Sequence, residues 1–219
     1  AKLGQKNSRD QWYMSPQTVN AYHDPNRLVI CFPAAILQAP FFSPNASDAK
    51  NLGGIGTVIG HELTHGFDDQ GCQFDADGNV RQWQTSAERK SFAKKAQIIK
   101  DQANNFEVLP GLKLNGDLII GESIADLGGL ELALDTLREK LGENITDQDI
   151  QEFFMNFAVV EVGQDREQRA REFALTDPHP PDKFRVNATL QHVDGFYEAF
   201  SVLSADKLYR PKQDRAKIW

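Results

Sequence analysis

The sequence predicts an α+β chain, predominantly α, with a small edge sheet. Three observations carry that expectation. Apolar residues recur at helical spacing through residues 85–106, 121–140 and 146–162. Only two short apolar runs, 19–22 and 28–32, have the length and flanking turn residues of strands. With 40% of its 219 residues hydrophobic and 25% charged, the chain has the composition of a globular protein and is long enough for one well-buried core or two small ones.

The elements follow in order. Residues 1–16 are polar, with Trp12, Tyr13 and Met14 as the side chains able to anchor them to a core. The runs 19–22 and 28–32 are separated by His23-Asp24-Pro25-Asn26, which is turn chemistry, so they read as a β-hairpin or two short strands. Pro33, Pro40 and Pro44 punctuate a loop carrying Phe41 and Phe42. A helix is expected from about Leu52 to Gly66, then a turn at 67–71. Asp75-Ala76-Asp77-Gly78-Asn79 faintly suggests a calcium loop, but Ser86 stands where the bidentate glutamate belongs, so an Asp-Gly turn is the better reading.

An amphipathic helix over 85–106 and a loop over 109–115 come next. The helix over 121–140 carries Leu127, Leu130, Leu134 and Leu137 on one stripe. Thr146 and Asp149 form a capping-box-like start to a helix reaching about Val162. Residues 164–174 are charged and helical, 177–181 form a proline-rich loop, and 193–200 read as the last long helix.

The formal charge of −7, with both signs interspersed, disfavours a nucleic-acid role. No apolar run approaches the ~18 residues that span a membrane. Cys31 and Cys72 sit outside any Cys-x-x-Cys pair and are expected to be free thiols.

His61-Glu62-Leu63-Thr64-His65 is the most informative segment. Two histidines four apart lie on one helical face and can offer a nitrogen each to one metal ion. Glu62 stands where a carboxylate can act as base on a water at that metal. Zinc favours such ligands in a tetrahedral site with one open position, and the implied chemistry is peptide-bond hydrolysis. The structural alternative is a solvated helix face, which the apolar, glycine-rich approach 53–60 argues against.

A zinc held by two histidines needs a third ligand. Glu122-Ser123-Ile124-Ala125-Asp126 places two carboxylates four apart. Glu122 suits the third ligand position, and Asp126 falls where it can hold an imidazole N–H. Gly128-Gly129 would let another backbone approach closely.

Residues 61–69 (HELTHGFDD) and 121–129 (GESIADLGG) together resemble the neprilysin family of zinc metallopeptidases, the group of neprilysin, endothelin-converting enzyme and bacterial oligopeptidases. Residues 19–22, 32–42, 176–181 and 184–187 resemble further segments of that family in the same order, as does the terminal Trp219. The resemblance implies a thermolysin-like, gluzincin-type catalytic domain holding one Zn2+ per chain through His61, His65 and Glu122. It implies Glu62 as general base, Asp126 orienting His61, and Asp68 or Asp69 doing the same for His65. It also implies His179 stabilising the oxyanion, Arg185 binding a substrate carbonyl or carboxylate, and Asn20 with the Ala21 backbone pairing with an extended peptide. For Arg185 a buried structural ion pair is the alternative, for Asn20 a plain turn. His23 and His192 are expected to be surface or structural residues. Phe106, Phe157, Val159 and Val160 are candidate pocket walls that core packing would explain equally.

Three departures from the family pattern stand out. Ser123 replaces an Asn, Ala216 replaces a cysteine of the secreted animal members, and the chain is several times shorter than family members. Residues 1–219 are therefore expected to form the C-terminal catalytic domain, without the family's N-terminal helical region. The implied activity is cleavage of short peptides on the N-terminal side of a large hydrophobic residue. The alternative is a catalytically incompetent zinc-binding fragment or peptide-binding module, with apolar surface exposed where the missing region packs. The family places the parent protein outside the cytoplasm (secreted, periplasmic or membrane-anchored), with a cytoplasmic bacterial member as the other case.

Overall fold

The structure, a computed structural model, describes Gly4, Ser8 and residues 10–218; Trp219 lies outside them. The first element is an antiparallel hairpin of β1 (Tyr22–Asp24) and β2 (Val29–Cys31), with Tyr22 opposite Cys31 and Asp24 opposite Val29. The hairpin agrees with expectation, but its turn lies later, at residues 25–28. His23 and Asp24 belong to the strand, because Asp24 is buried and its carboxylate turns back to accept from the N–H of Asn26 and Arg27. Trp12 and Tyr13 do not reach a core: they are 58% and 60% exposed, and Tyr13 instead lies against the Arg27 guanidinium.

The zinc-motif helix is composite. α1 (Asp48–Asn51) starts at Ser47, whose hydroxyl caps the Lys50 N–H, and a π turn over Leu52–Gly56 leads into α2 (Thr57–Thr64). A 3-10 turn at His65–Phe67 tightens its end. Asp75 accepts from the N–H of Asp77 and Asn79, as expected for an Asp-Gly turn.

α3 (Ser86–Asn104) opens with a full capping box between Thr85 and Glu88. The following segment is not simply a loop: β3 (Glu107–Leu109) and β4 (Leu112–Lys113) form a second small hairpin. Its strands are too short to display alternation, which hid them in the sequence. α4 (Gly116–Leu141) begins one turn and a half earlier than its apolar stripe suggests, capped by the Asn115 side chain. α5 (Asp147–Val160) starts at the Thr146–Asp149 capping box, as read. α6 (Glu167–Thr176), α7 (Asp182–Leu190) and α8 (Asp194–Phe200) complete the chain. α7 was not anticipated; Pro181 at its N-cap opens it. α8, read as long, has only seven residues and ends at Ser201 in the left-handed region.

α4 is the axis of the fold. Its leucines 127, 130, 134 and 137 are at most 2% exposed and pack with Phe153, Phe154 and Phe157 of α5 and Phe196 of α8. Burying each such side chain is worth roughly 1.5–3 kcal/mol. A smaller cluster joins Phe184 of α7 to Ala103 and Ile119, and a third joins Ala21, Ile36 and Ile55. α2 crosses α4 where two glycines meet. A Cβ on Gly60 would lie 2.7 Å from Gly129 Cα, and one on Gly129 would lie 2.5 Å from the His61 nitrogen. Only glycine at both positions lets the helices approach this closely, and that contact sets His61 against Glu122 and Asp126.

Candidate metal centre

The α2–α4 crossing faces a cavity of ≈ 540 Å³. His61 and His65, one turn apart, and Glu122 from α4 converge there. Their ligand atoms all lie within 4.8 Å of one another, the group of this kind found among the described residues. His61 Nε2 is 3.3 Å from Glu122 Oε2, and His65 Nε2 is 3.6 Å from Glu122 Oε1.

The outer nitrogens are tied back. His61 Nδ1 lies 2.9 Å from Asp126 Oδ1, and His65 Nδ1 lies 2.7 Å from Asp68 Oδ2. Each carboxylate favours the proton on Nδ1, leaving the Nε2 lone pair aimed at the shared centre. Of the two aspartates considered for His65, Asp68 is the partner. It is held rigidly by the N–H groups of Gln70 and Gly71, at 2.8 and 2.6 Å.

The electrostatics suit a cation. Burial opposes charge on His61, yet hydrogen bonds with Asp126 and Glu122 push its pKa up to about 10. A cation at Nε2 would take the place of that proton. Burial likewise opposes charge on Glu122, but the neighbouring His61 imidazole, 3.3 Å from Oε2, holds its carboxyl below the ordinary range. Two imidazole nitrogens and one carboxylate are a zinc donor set, so the residues present fit the metal. Glu62, 5% exposed, also lines the cavity, and burial raises its pKa.

The other expected residues gather around the same cavity. His179 Nε2 is 3.4 Å from Glu122 Oε1, and its Nδ1 is 2.8 Å from Asp177. Arg185 of α7 donates from Nε to Asp126 Oδ2 at 2.9 Å and from its terminal nitrogen to Oδ1. The buried ion pair weighed for Arg185 is therefore present, although 17% of the side chain still reaches the cavity. Against the cost of burial, Arg185 holds Asp126 well below the usual carboxylate range. Asn20 and Ala21 line the edge beside β1, where Asn20 Oδ1 accepts the Ala21 N–H at 2.9 Å. That N–H is thus engaged within the chain.

Phe157 and Val160 line the cavity, but Phe106 and Val159 do not. Phe106 packs edge-on against Phe184 in the second core, and Val159, 52% exposed, faces a separate groove. Two lining residues that carry an imidazole or a carboxylate escaped sequence reasoning. His23 is half-buried in the cavity wall, its pKa lowered by burial and by His65. Glu161, at the end of α5, follows Phe157 by one helical turn, the only signal that could have found it. His192 proves structural: 2% exposed, it accepts the Ala216 N–H and pairs with Gln102. Cys31 and Cys72 are free.

Two histidines and a glutamate from crossing helices, with a buried glutamate beside them, define the site of a metallopeptidase. The model of peptidase family M13 matches residues 20–216, and the chain belongs to that family, the neprilysin family. Endothelin-converting enzyme 1 of Homo sapiens is 38% identical over 220 residues, taking in 97% of this chain and 28% of that protein. Neutral endopeptidase of Lactococcus lactis subsp. lactis is 37% identical over 218 residues, taking in 100% of this chain and 34% of that protein. The crystal structure of Mycobacterium tuberculosis zinc metalloprotease ZMP1 with an inhibitor superposes with a TM-score of 0.92 at 41% identity, over 97% of this chain and 34% of that one. PEPO from Lactobacillus rhamnosis gives 0.93 at 38% identity, over 99% and 34%. The fold is thus the predominantly α domain expected, and the chain spans about a third or less of the length of these relatives.

Proposed function

We propose that this chain is the C-terminal catalytic domain of a zinc-dependent endopeptidase of short peptides, cutting on the N-terminal side of a large hydrophobic residue. The observation that carries the reading is the pair of imidazoles locked at Nδ1 by Asp126 and Asp68, with both Nε2 atoms turned to Glu122. His61, His65 and Glu122 would hold one zinc ion. Bound there, zinc would polarise the scissile carbonyl and acidify the attacking water.

The chain's own groups account for the rest. Glu62 takes the proton of the attacking water and delivers it to the leaving amine, and the rise in its pKa from burial suits both steps. His179, steadied by Asp177, donates from Nε2 to the negative charge developing on the carbonyl oxygen. Asp126 orients His61, and Arg185 secures Asp126 while presenting its remaining edge to the peptide. The Asn20 amide and Ala21 carbonyl hold an extended substrate along the cavity edge. The substrate preference rests on family membership and on the apolar walls Phe157 and Val160.

A second reading, a zinc-binding fragment needing a further domain to cleave, is favoured by one observation. Ile59, Leu63 and Phe67, on one stripe of the zinc-motif helix and the turn after it, are 39%, 49% and 52% exposed. An N-terminal helical region in the parent would cover them, and by family that parent acts outside the cytoplasm, with a cytoplasmic bacterial member as the alternative. Among the described residues no helix is long and apolar enough to cross a membrane.

The test is bound metal and peptide cleavage, for the chain, its full-length parent and Glu62→Gln. The expected outcome is one zinc in each, with cleavage in Glu62→Gln down by roughly 10²–10⁴-fold. No bound zinc refutes the reading; zinc without cleavage in chain and parent refutes the activity; cleavage by the parent alone selects the fragment reading.

A further inference from the structure

The cavity holds a carboxylate that no step above uses. Glu161 caps the C-terminal end of α5, and Phe157, Val160 and Glu161 stand on one face of it, all lining the cavity. Among the described residues its one ion-pair partner is Arg185, 3.6 Å away through Nε. That Nε already donates to Asp126 Oδ2 at 2.9 Å, and one of the two terminal nitrogens, Nη2, is engaged by the same carboxylate. Asp182 and Glu122 add further negative charge around the one guanidinium. Burial raises Glu161 while Arg185 opposes it, whereas Asp126 is strongly lowered, so the guanidinium's charge goes mainly to Asp126. The end of α5 also carries the negative pole of the helix, where an acidic residue is unfavourable and a cation is favoured. Glu161 thus stands at the helix pole that disfavours it, shares Arg185 with the closer Asp126, and is 17% exposed toward the cavity.

We propose that Glu161 is a specificity-determining residue that selects a cationic side chain, arginine or lysine, in the bound peptide. The long aliphatic stem of such a residue packs on Phe157 and Val160 while its charged head reaches the carboxylate. Arginine is the better fit, since its planar fork can engage both oxygens. This extends the apolar preference, because the wall that accepts the stem is apolar and only the end of the pocket is acidic. The inference rests on the peptidase reading.

The test measures dissociation constants, by calorimetry on the zinc-loaded chain, for short peptides differing at one residue: arginine, its neutral isostere citrulline, or leucine. The arginine peptide is expected to bind on the order of tenfold tighter than the citrulline peptide, a ratio that shrinks with added salt. In Glu161→Gln the ratio falls to about one. A wild-type ratio near one overturns the proposal while leaving the peptidase reading intact, and needs no variant to fold. Equal weakening of both peptides in Glu161→Gln, with the ratio kept, makes the residue structural and also overturns it. Binding of none of the peptides counts against the peptidase reading itself, and this proposal falls with it.

Discussion

Two histidines withdrawn from water stand in opposite electrostatic surroundings. His61, in the cleft, is surrounded by carboxylates and driven up to about 10 despite burial. His192, under the C-terminal segment, is driven down to about 3 by burial and by Arg210 and Arg215. Its Nδ1 accepts the Ala216 N–H and its Nε2 faces the Gln102 carbonyl, so the neutral ring is the form that fits. The same side chain is a candidate ligand for a cation in one place and a neutral pin in the other. Sequence neighbours do not decide this; the groups brought up by other helices do.

The largest break in the comparison comes from removing the charge that draws a cation to the cleft. Glu122→Ala should abolish stoichiometric zinc binding, read by metal analysis after dialysis; undiminished zinc would remove Glu122 from the ligand set. Asp126→Asn tests the next layer. Zinc affinity should fall by about 10–100-fold, because the His61 ring loses the partner that fixes its tautomer. The same change takes from Arg185 its closest carboxylate and leaves it Glu161 at 3.6 Å, so the loss of stability should stay below the roughly 3–5 kcal/mol typical of a buried charge left with no partner. Unchanged zinc affinity would show that Asp126 serves only Arg185.

The smallest effect belongs to His192. Its folded pKa lies below its unfolded value of 6.5, so acid favours the unfolded state, which binds the proton more readily. Stability is therefore whole above about pH 6.5 and declines as pH falls toward about 3, by on the order of a few kcal/mol in total. Denaturant midpoints of wild type and His192→Gln over that window check it. The difference between the two curves should grow with acid, and parallel curves would show that His192 is not the titrating group.

Much of the site was legible because its parts repeat at one helical turn. His61 with His65, Glu122 with Asp126, and the Thr146–Asp149 cap all follow from spacing within a single element. The leucine stripe of α4 was equally plain, since an apolar period of 3.6 has one core-facing solution. What failed were features without internal period. The β3–β4 hairpin is too short to alternate, and α7 hides behind prolines that mark its start as readily as a loop. Phe106 and Val159 look like pocket walls beside Phe157 and Val160, and nothing local says which way they face.

By itself the sequence pointed to the candidate ligands and the candidate base, and it identified the helices that bear them and the family. The tertiary structure alone decided that Asp68 rather than Asp69 holds His65, that Arg185 grips Asp126, and that Glu161 opens into the cavity. The physical reason is the crossing of α2 and α4 at Gly60 and Gly129. Backbone periodicity sets which residues share a face, but only the packing of one helix on another sets which faces meet.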